Sequence, residues 1–142
     1  MKTIALVLIF YLLTACNNVK PYDHNTIIGK YATINHKRTI VDYFKSRSYV
    51  LNDRLNLKKN NSFEMETCSY KATGKWYLKK DTLSLKFDTL VWWIDSLNYV
   101  TRFIERKKRI IKNGNHLLVR KNYLYSETKY KEKTIVLKLV RK

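Results

Sequence analysis

Residues 54–66 read Arg-Leu-Asn-Leu-Lys-Lys-Asn-Asn-Ser-Phe-Glu-Met-Glu, and the fold is decided on this stretch. Leu55 and Leu57 fall on one face while Arg54, Asn56 and Lys58 take the other. After Lys59-Asn60-Asn61 the alternation resumes, with Phe63 and Met65 against Glu64 and Glu66. Successive side chains of a strand point to opposite faces, so a period of two marks a half-buried strand. A three-residue loop pairs Leu57 with Phe63 and Leu55 with Met65 and sets Arg54 opposite Glu66, so apolar and charged residues agree on one register.

Outward from this hairpin the pattern repeats. Gly74, Trp76 and Leu78 alternate with Lys75, Tyr77 and Lys79, and Leu83, Leu85 and Phe87 alternate with Ser84, Lys86 and Asp88. A two-residue turn at Lys80-Asp81 pairs Leu78 with Leu83, Trp76 with Leu85 and Gly74 with Phe87, the last laying a ring over a residue without a side chain. The turn lacks glycine, which leaves its type open. Asn113-Gly114 is the strongest turn signal and reads as a hairpin joining Arg109-Ile110-Ile111 to His116-Leu117-Leu118-Val119. Ile135, Leu137 and Leu139 form a last strand, and Tyr31 with Thr33, after Gly29, an early one. Residues 90–97 fit a helix through Leu90, Trp93, Ile94 and Leu97, and equally a strand through Leu90, Trp92 and Ile94. Residues 40–50 are similarly open. The expectation is an all-β chain built as an antiparallel meander, one domain over 28–142.

The amino terminus has a different logic. Lys2, an apolar run from Ile4 to Leu13 and small Thr14 and Ala15 precede Cys16, the order that secretion requires. The run is shorter than the about 20 residues that span a bilayer, which favours an export signal over a membrane helix. Leu13-Thr14-Ala15-Cys16 resembles the bacterial lipobox, whose cysteine thiol receives diacylglycerol before cleavage on its amino side. That resemblance implies a signal peptide over 1–15 and lipid attachment at Cys16; a secretory peptide with a chance cysteine is the alternative. Residues 16–27, which hold the only proline, Pro21, read as a tether. With Cys16 lipidated, Cys68 has no disulfide partner, since the chain has two cysteines. It is expected as a partly buried small residue, with no base near it in sequence.

The chain carries 29 Lys and Arg against 11 Asp and Glu, a formal charge of +18. Removal of residues 1–15 takes away only Lys2 and leaves +17. Export turns this charge away from nucleic acid and toward anionic envelope lipids or an acidic protein partner. Genome composition is the competing explanation, because Lys, Asn, Ile and Tyr all have A/T-rich codons. No compact Arg-rich patch or aromatic-interleaved nucleic-acid motif is apparent.

Gly29-Lys30-Tyr31, Leu55-x-Leu57 followed by Asn61-Ser62-Phe63, Gly74-Lys75-Trp76 and Leu83-x-Leu85 together resemble the small lipocalin-like lipoproteins of the Bacteroidota. The resemblance covers roughly residues 28–88. It implies a meander curled into a small barrel or half-barrel, lipid-anchored in the cell envelope. The Gly-x-Trp of lipocalins lies in the first strand, whereas Gly74-Lys75-Trp76 is mid-chain, so no ligand-binding residues carry over. In that phylum acidic residues after the lipidated cysteine favour surface export. Asn17-Asn18-Val19-Lys20 has none, which implies an outer-membrane protein facing the periplasm.

Catalytic signatures are scarce. His24, His36 and His116 have no ligand-type spacing to Cys, Asp or Glu, and there is no phosphate loop, nucleophile elbow or zinc-protease motif. The expectation is a non-catalytic domain without metal or cofactor. Two functional classes remain: a barrel that binds an apolar or amphipathic envelope molecule, and an inhibitor or immunity protein that blocks a hydrolase or toxin. Trp92 and Trp93 are the candidate contact residues. On a strand one indole enters the interior and the other faces outward onto an apolar patch; on a short helix Trp93 turns inward and Trp92 lies at the edge.

Overall fold

A computed structural model of the chain describes residues 22–34 and 39–142. Nine strands form one sheet: β1 (Gly29–Thr33), β2 (Arg47–Tyr49), β3 (Arg54–Leu57), β4 (Ser62–Glu66), β5 (Tyr70–Lys79), β6 (Thr82–Trp92), β7 (Asn115–Arg120), β8 (Tyr123–Tyr130) and β9 (Lys133–Arg141). All the strands except β2 pair antiparallel in the order β1-β3-β4-β5-β6-β7-β8-β9, and β1 pairs back onto β9. The result is a closed eight-stranded barrel, an architecture shared with lipocalin-like folds, and closure removes the sheet edges that would otherwise invite aggregation. β2 runs parallel to β9, beside its first half. Residues 40–50 thus resolve into a short helix, α1 (Ile40–Phe44), followed by β2.

The two hairpins read from the sequence have the expected registers. Leu57 faces Phe63, Leu55 faces Met65 and Arg54 faces Glu66; Leu78 faces Leu83, Trp76 faces Leu85 and Gly74 faces Phe87. Asn61 (φ 60) is the left-handed residue of the three-residue loop, and Lys80 (φ 57) supplies the left-handed conformation at Lys80-Asp81. A bulge between Thr73 and Gly74 skips Asp88 and sharpens the bend of β5 and β6. The inward positions make the core: Trp76, Phe63, Leu55, Leu57, Leu83 and Leu139 are essentially buried.

The turns at 59–61, 80–81 and 121–122 lie at one end of the barrel, here called the lower end. The connections at 50–53, 67–69 and 93–100 and the 131–132 turn lie at the upper end. The lower end is plugged by a 3₁₀ turn, His24–Ile27, whose N-cap is Asp23. Ile27 is buried, Tyr31 donates its hydroxyl proton to the Ile27 carbonyl (2.7 Å), and the His24 ring stacks on Trp76 with centroids 4.3 Å apart. Arg141 donates to the carbonyls of Thr26 (2.9 Å) and Ile28 (2.8 Å). The described end of the expected tether therefore packs onto the barrel, and the folded unit includes Tyr22 to Ile28. Cys16 and the rest of 1–21 lie outside the described residues.

At the upper end the sequence reading needs correction. β6 continues as strand through Trp92; the chain then bends at Trp93 and Ile94 and makes a 3₁₀ turn, Asp95–Asn98. The strand reading of this segment holds through Trp92, and no α-helix starts there. Asn98 clasps the end of the strand, accepting from the Trp92 N–H (3.0 Å) and donating to the Trp92 carbonyl (3.3 Å). A helix, α2 (Thr101–Asn113), follows where a strand over 109–111 was expected. Asn113-Gly114 ends this helix and is not a hairpin turn: Gly114 takes φ 65 and its N–H reaches the Ile110 carbonyl (3.0 Å). A left-handed glycine serves a helix C-terminus as well as a tight hairpin, which is why the dipeptide was misleading. Among the described residues no helix is long and apolar enough to cross a membrane.

Candidate binding mouth

β7 is short. It pairs with β6 only along Thr82–Leu85 and with β8 only along Tyr123–Tyr125, so the upper half of the wall between β6 and β8 has no strand. α2 occupies that gap and packs on β6. Phe103, Ile104, Lys107, Ile110 and Ile111, spaced i, i+1, i+4, i+7 and i+8, are its half-buried face. Arg102, Arg106 and Arg109, spaced i, i+4 and i+7, form the adjoining stripe. This stripe borders a cavity of about 720 Å³ completed by Phe103, Tyr130 and Ile135. Tyr130 and Ile135 alternate in register with the inward Leu124, Leu137 and Leu139, so the cavity is a cleft between α2 and the β8–β9 hairpin at the upper end of the barrel, here called the mouth.

None of the three guanidinium groups has a carboxylate partner among the described residues; the ion pairs there are Arg47–Glu127, Lys58–Glu64, Lys71–Glu66 and Arg120–Asp81. Arg106 instead stands 5.6 Å from the centre of the Trp92 ring. A guanidinium offers a planar fork of donors matched to carboxylate and phosphate oxygens, and three on one stripe concentrate positive charge at a concave surface. Phe103 and Ile135 supply apolar contact beside them. Together these groups suit a molecule with an anionic head and an apolar body.

Trp92 and Trp93 separate as neighbours on a strand must. Trp92 is 2% exposed and meets Tyr70 (5.6 Å between centroids) and Phe103 (5.4 Å) edge to face. Its indole N–H has no partner among the described residues and is a buried donor behind two of the residues that line the mouth. Such a buried donor costs about 1–3 kcal/mol and favours an acceptor beside it. Trp93 is 47% exposed, donates from Nε1 to the Thr67 carbonyl (2.7 Å) and lies under the Lys71 ammonium (4.4 Å). It belongs to a separate hollow, about 550 Å³, shared with Asp53, Glu66 and Cys68. Asp53 is buried there, and burial pushes its carboxyl from the usual 3.8 up to about 6, partly opposed by a hydrogen bond from the Cys68 backbone. Arg54 and Lys142 line the same hollow. Its mixed charges converge on no one ligand chemistry, and the arginine-lined mouth is the better candidate.

Cys68 is exposed, not partly buried as expected, because it sits at the bend between β4 and β5. His24 is in the plug, His116 accepts or donates through Nδ1 with Ser84 Oγ (3.0 Å), and His36 lies outside the described residues. Among the described residues no three His, Cys, Asp or Glu side chains gather as a metal site. The sequence reading found no compact Arg-rich patch and so missed Arg102, Arg106 and Arg109. Their helical spacing was the available signal, and it was hidden while 109–111 read as a strand.

The chain matches no protein-family model, no curated protein and no solved structure.

Proposed function

We propose that this chain is a non-catalytic binding module of the bacterial cell envelope, anchored by lipid on Cys16, whose barrel mouth takes an anionic amphiphile. The observation that carries the reading is the stripe Arg102, Arg106 and Arg109, without a carboxylate partner among the described residues, beside an apolar-floored cavity of about 720 Å³. The cleft at the upper end of the barrel, with Phe103 and Ile135 on its apolar side, suits part of an acyl chain beside an anionic head. The lipobox-like Leu13-Thr14-Ala15-Cys16 supports export and anchoring, and the absence of acidic residues from Asn17 to Lys20 supports a periplasm-facing position over surface export. The net charge of +18 favours partners with anionic groups.

The test is recovery of the full chain from its own host's envelope, with co-purifying lipids and proteins both identified. The expected result is an anionic acyl compound enriched on the wild-type chain and lost from an Arg102→Gln, Arg106→Gln, Arg109→Gln variant of unchanged fold. Recovery of a stoichiometric protein and no acyl compound would replace this reading with inhibition of an acidic protein partner.

A further inference from the structure

Tyr22 enters the fold at the lower end of the barrel, beside three basic turns. Lys58 and Lys59 belong to the β3–β4 turn, Lys79 and Lys80 to β5–β6, and Arg120 and Lys121 to β7–β8. Contacts tie these turns to the plug and to one another. Trp76, which carries the His24 ring, donates from its indole to the Lys58 carbonyl and from its backbone N–H to the Asn61 carbonyl (2.8 Å). Tyr22 and Asp23 line one hollow with Arg120, Lys121 and Asn122. Asp81 pairs with Arg120, and its carbonyl accepts from the Val119 N–H (2.6 Å).

The charge of this end is not neutralised. Lys58 pairs with Glu64 and Arg120 with Asp81, while Lys59, Lys79, Lys80 and Lys121 are exposed and have no carboxylate partner among the described residues. The one further acid in the plug and the three turns is Asp23. None of the exposed large apolar residues lies in these turns or in the plug, so a partner meets ammonium groups and nothing that inserts. Five residues, 17–21, lie between Cys16 and Tyr22, and they hold Lys20 and no acid. An extended chain gains at most about 3.6 Å per residue, so lipid on Cys16 keeps Tyr22 within about 20 Å of the headgroups. Lysines feel an anionic surface over about 10 Å, and the short tether turns that weak attraction into an intramolecular one. A soluble acidic protein would gain nothing from this proximity.

We infer that the plugged lower end rests on the anionic phospholipid bilayer that holds the Cys16 lipid, through Lys59, Lys79, Lys80 and Lys121. The barrel then stands upright, and the arginine-lined mouth at its far end is turned away from the anchoring membrane. This docking rests on the anchor at Cys16 and goes beyond the proposed ligand binding, since it does not require the mouth to be occupied.

With Cys16 lipidated, Cys68 is the one free thiol of the chain, exposed at the upper end. The lipidated full chain would be reconstituted into phosphatidylcholine vesicles, with and without phosphatidylglycerol, that contain a lipid bearing a nitroxide on its headgroup. A fluorophore is attached either to Cys68 or, in an Asn122→Cys, Cys68→Ser variant, beside Lys121 at the lower end. The nitroxide quenches only a fluorophore that reaches the headgroups. Docking predicts strong quenching at position 122 in the phosphatidylglycerol vesicles, relieved by high salt, and little at Cys68. Lys59→Gln should lower the docked population about fivefold, the loss expected for one basic residue near an anionic surface. Lys133→Gln, which removes the same charge at the upper end, should leave it unchanged. Equal quenching at the two positions, quenching indifferent to phosphatidylglycerol, or equal losses from Lys59→Gln and Lys133→Gln would overturn the inference. A chain recovered without lipid and free of the vesicles would overturn anchor and docking together. Binding of a soluble anionic amphiphile at the mouth is measured separately, without vesicles, so failure of docking and failure of the ligand reading give different results.

Discussion

Phe63 stands against the open side of Gly74: a Cβ on that glycine would lie 2.9 Å from Phe63 Cε1 and 2.0 Å from the Lys86 carbonyl oxygen. The ring therefore fills the space where a side chain would be, at the bulge that bends β5 and β6 into the barrel. Gly74→Ala is expected to lower stability by roughly 2–4 kcal/mol, since the nearest atom is backbone and cannot rotate away. Chemical denaturation of the variant checks this, and an unchanged midpoint would mean that the bulge is more pliable than described.

Trp76 joins the core to the plug. It is 0% exposed, donates from Nε1 to the Lys58 carbonyl (3.1 Å) and carries the His24 ring on its face. Trp76→Ala should cost roughly 3–5 kcal/mol. His24→Ala should cost only about 0.5–1.5 kcal/mol, the worth of one stacked pair. Equal losses from the two variants would show that the 3₁₀ turn and the barrel unfold as one inseparable piece.

These lower-end contacts mark the boundary of what the sequence made legible. The registers of 54–66 and 74–88 were readable because apolar alternation, turn length and opposed charges are all local and all agree. The plug was not, because His24 and Trp76 meet across a long separation in sequence and no periodicity links them. α2 escaped for another reason: Phe103, Ile104, Ile110 and Ile111 have helical spacing, but the β-branched Ile110-Ile111 beside Asn113-Gly114 imitates a strand entering a hairpin. The arginine stripe became visible only with the helix that carries it. Trp92 and Trp93 point two ways, as the strand alternative for 90–97 required and the helix alternative did not, and Trp92 backs the mouth without lining it.

Asp53 gives the fold a pH dependence. The folded chain keeps its proton up to about pH 6, whereas the unfolded chain releases it near 3.8, so folding holds an extra proton between those values. Stability should therefore fall as pH rises from about 4 to about 6 and then level off, by roughly 1–3 kcal/mol from this group. Asp53→Asn, which still offers an oxygen to the Cys68 N–H, should remove that slope and raise stability at neutral pH. Melts of wild type and variant across this range decide the matter; parallel pH profiles would contradict it.

The anchor has its own test. Cys16→Ser removes the thiol that would take diacylglycerol, so the variant should accumulate as an unprocessed precursor and incorporate no radiolabelled palmitate. Equal incorporation by wild type and variant would place the lipid elsewhere or nowhere.

The most direct measurement of the central claim is calorimetric titration of the full chain with dodecyl phosphate, below its micelle concentration, beside dodecyl maltoside of the same chain length. Dodecyl phosphate should bind with one site per chain and the maltoside far more weakly. Arg106→Gln should weaken the phosphate about 10–100-fold, the value of a charge-assisted hydrogen bond lost from a binding site. The triple variant Arg102→Gln, Arg106→Gln, Arg109→Gln should abolish it while the near-ultraviolet circular dichroism of the buried aromatics is kept. Equal affinity for the two amphiphiles, or undiminished phosphate binding by the triple variant, would contradict an arginine-lined mouth as the binding site.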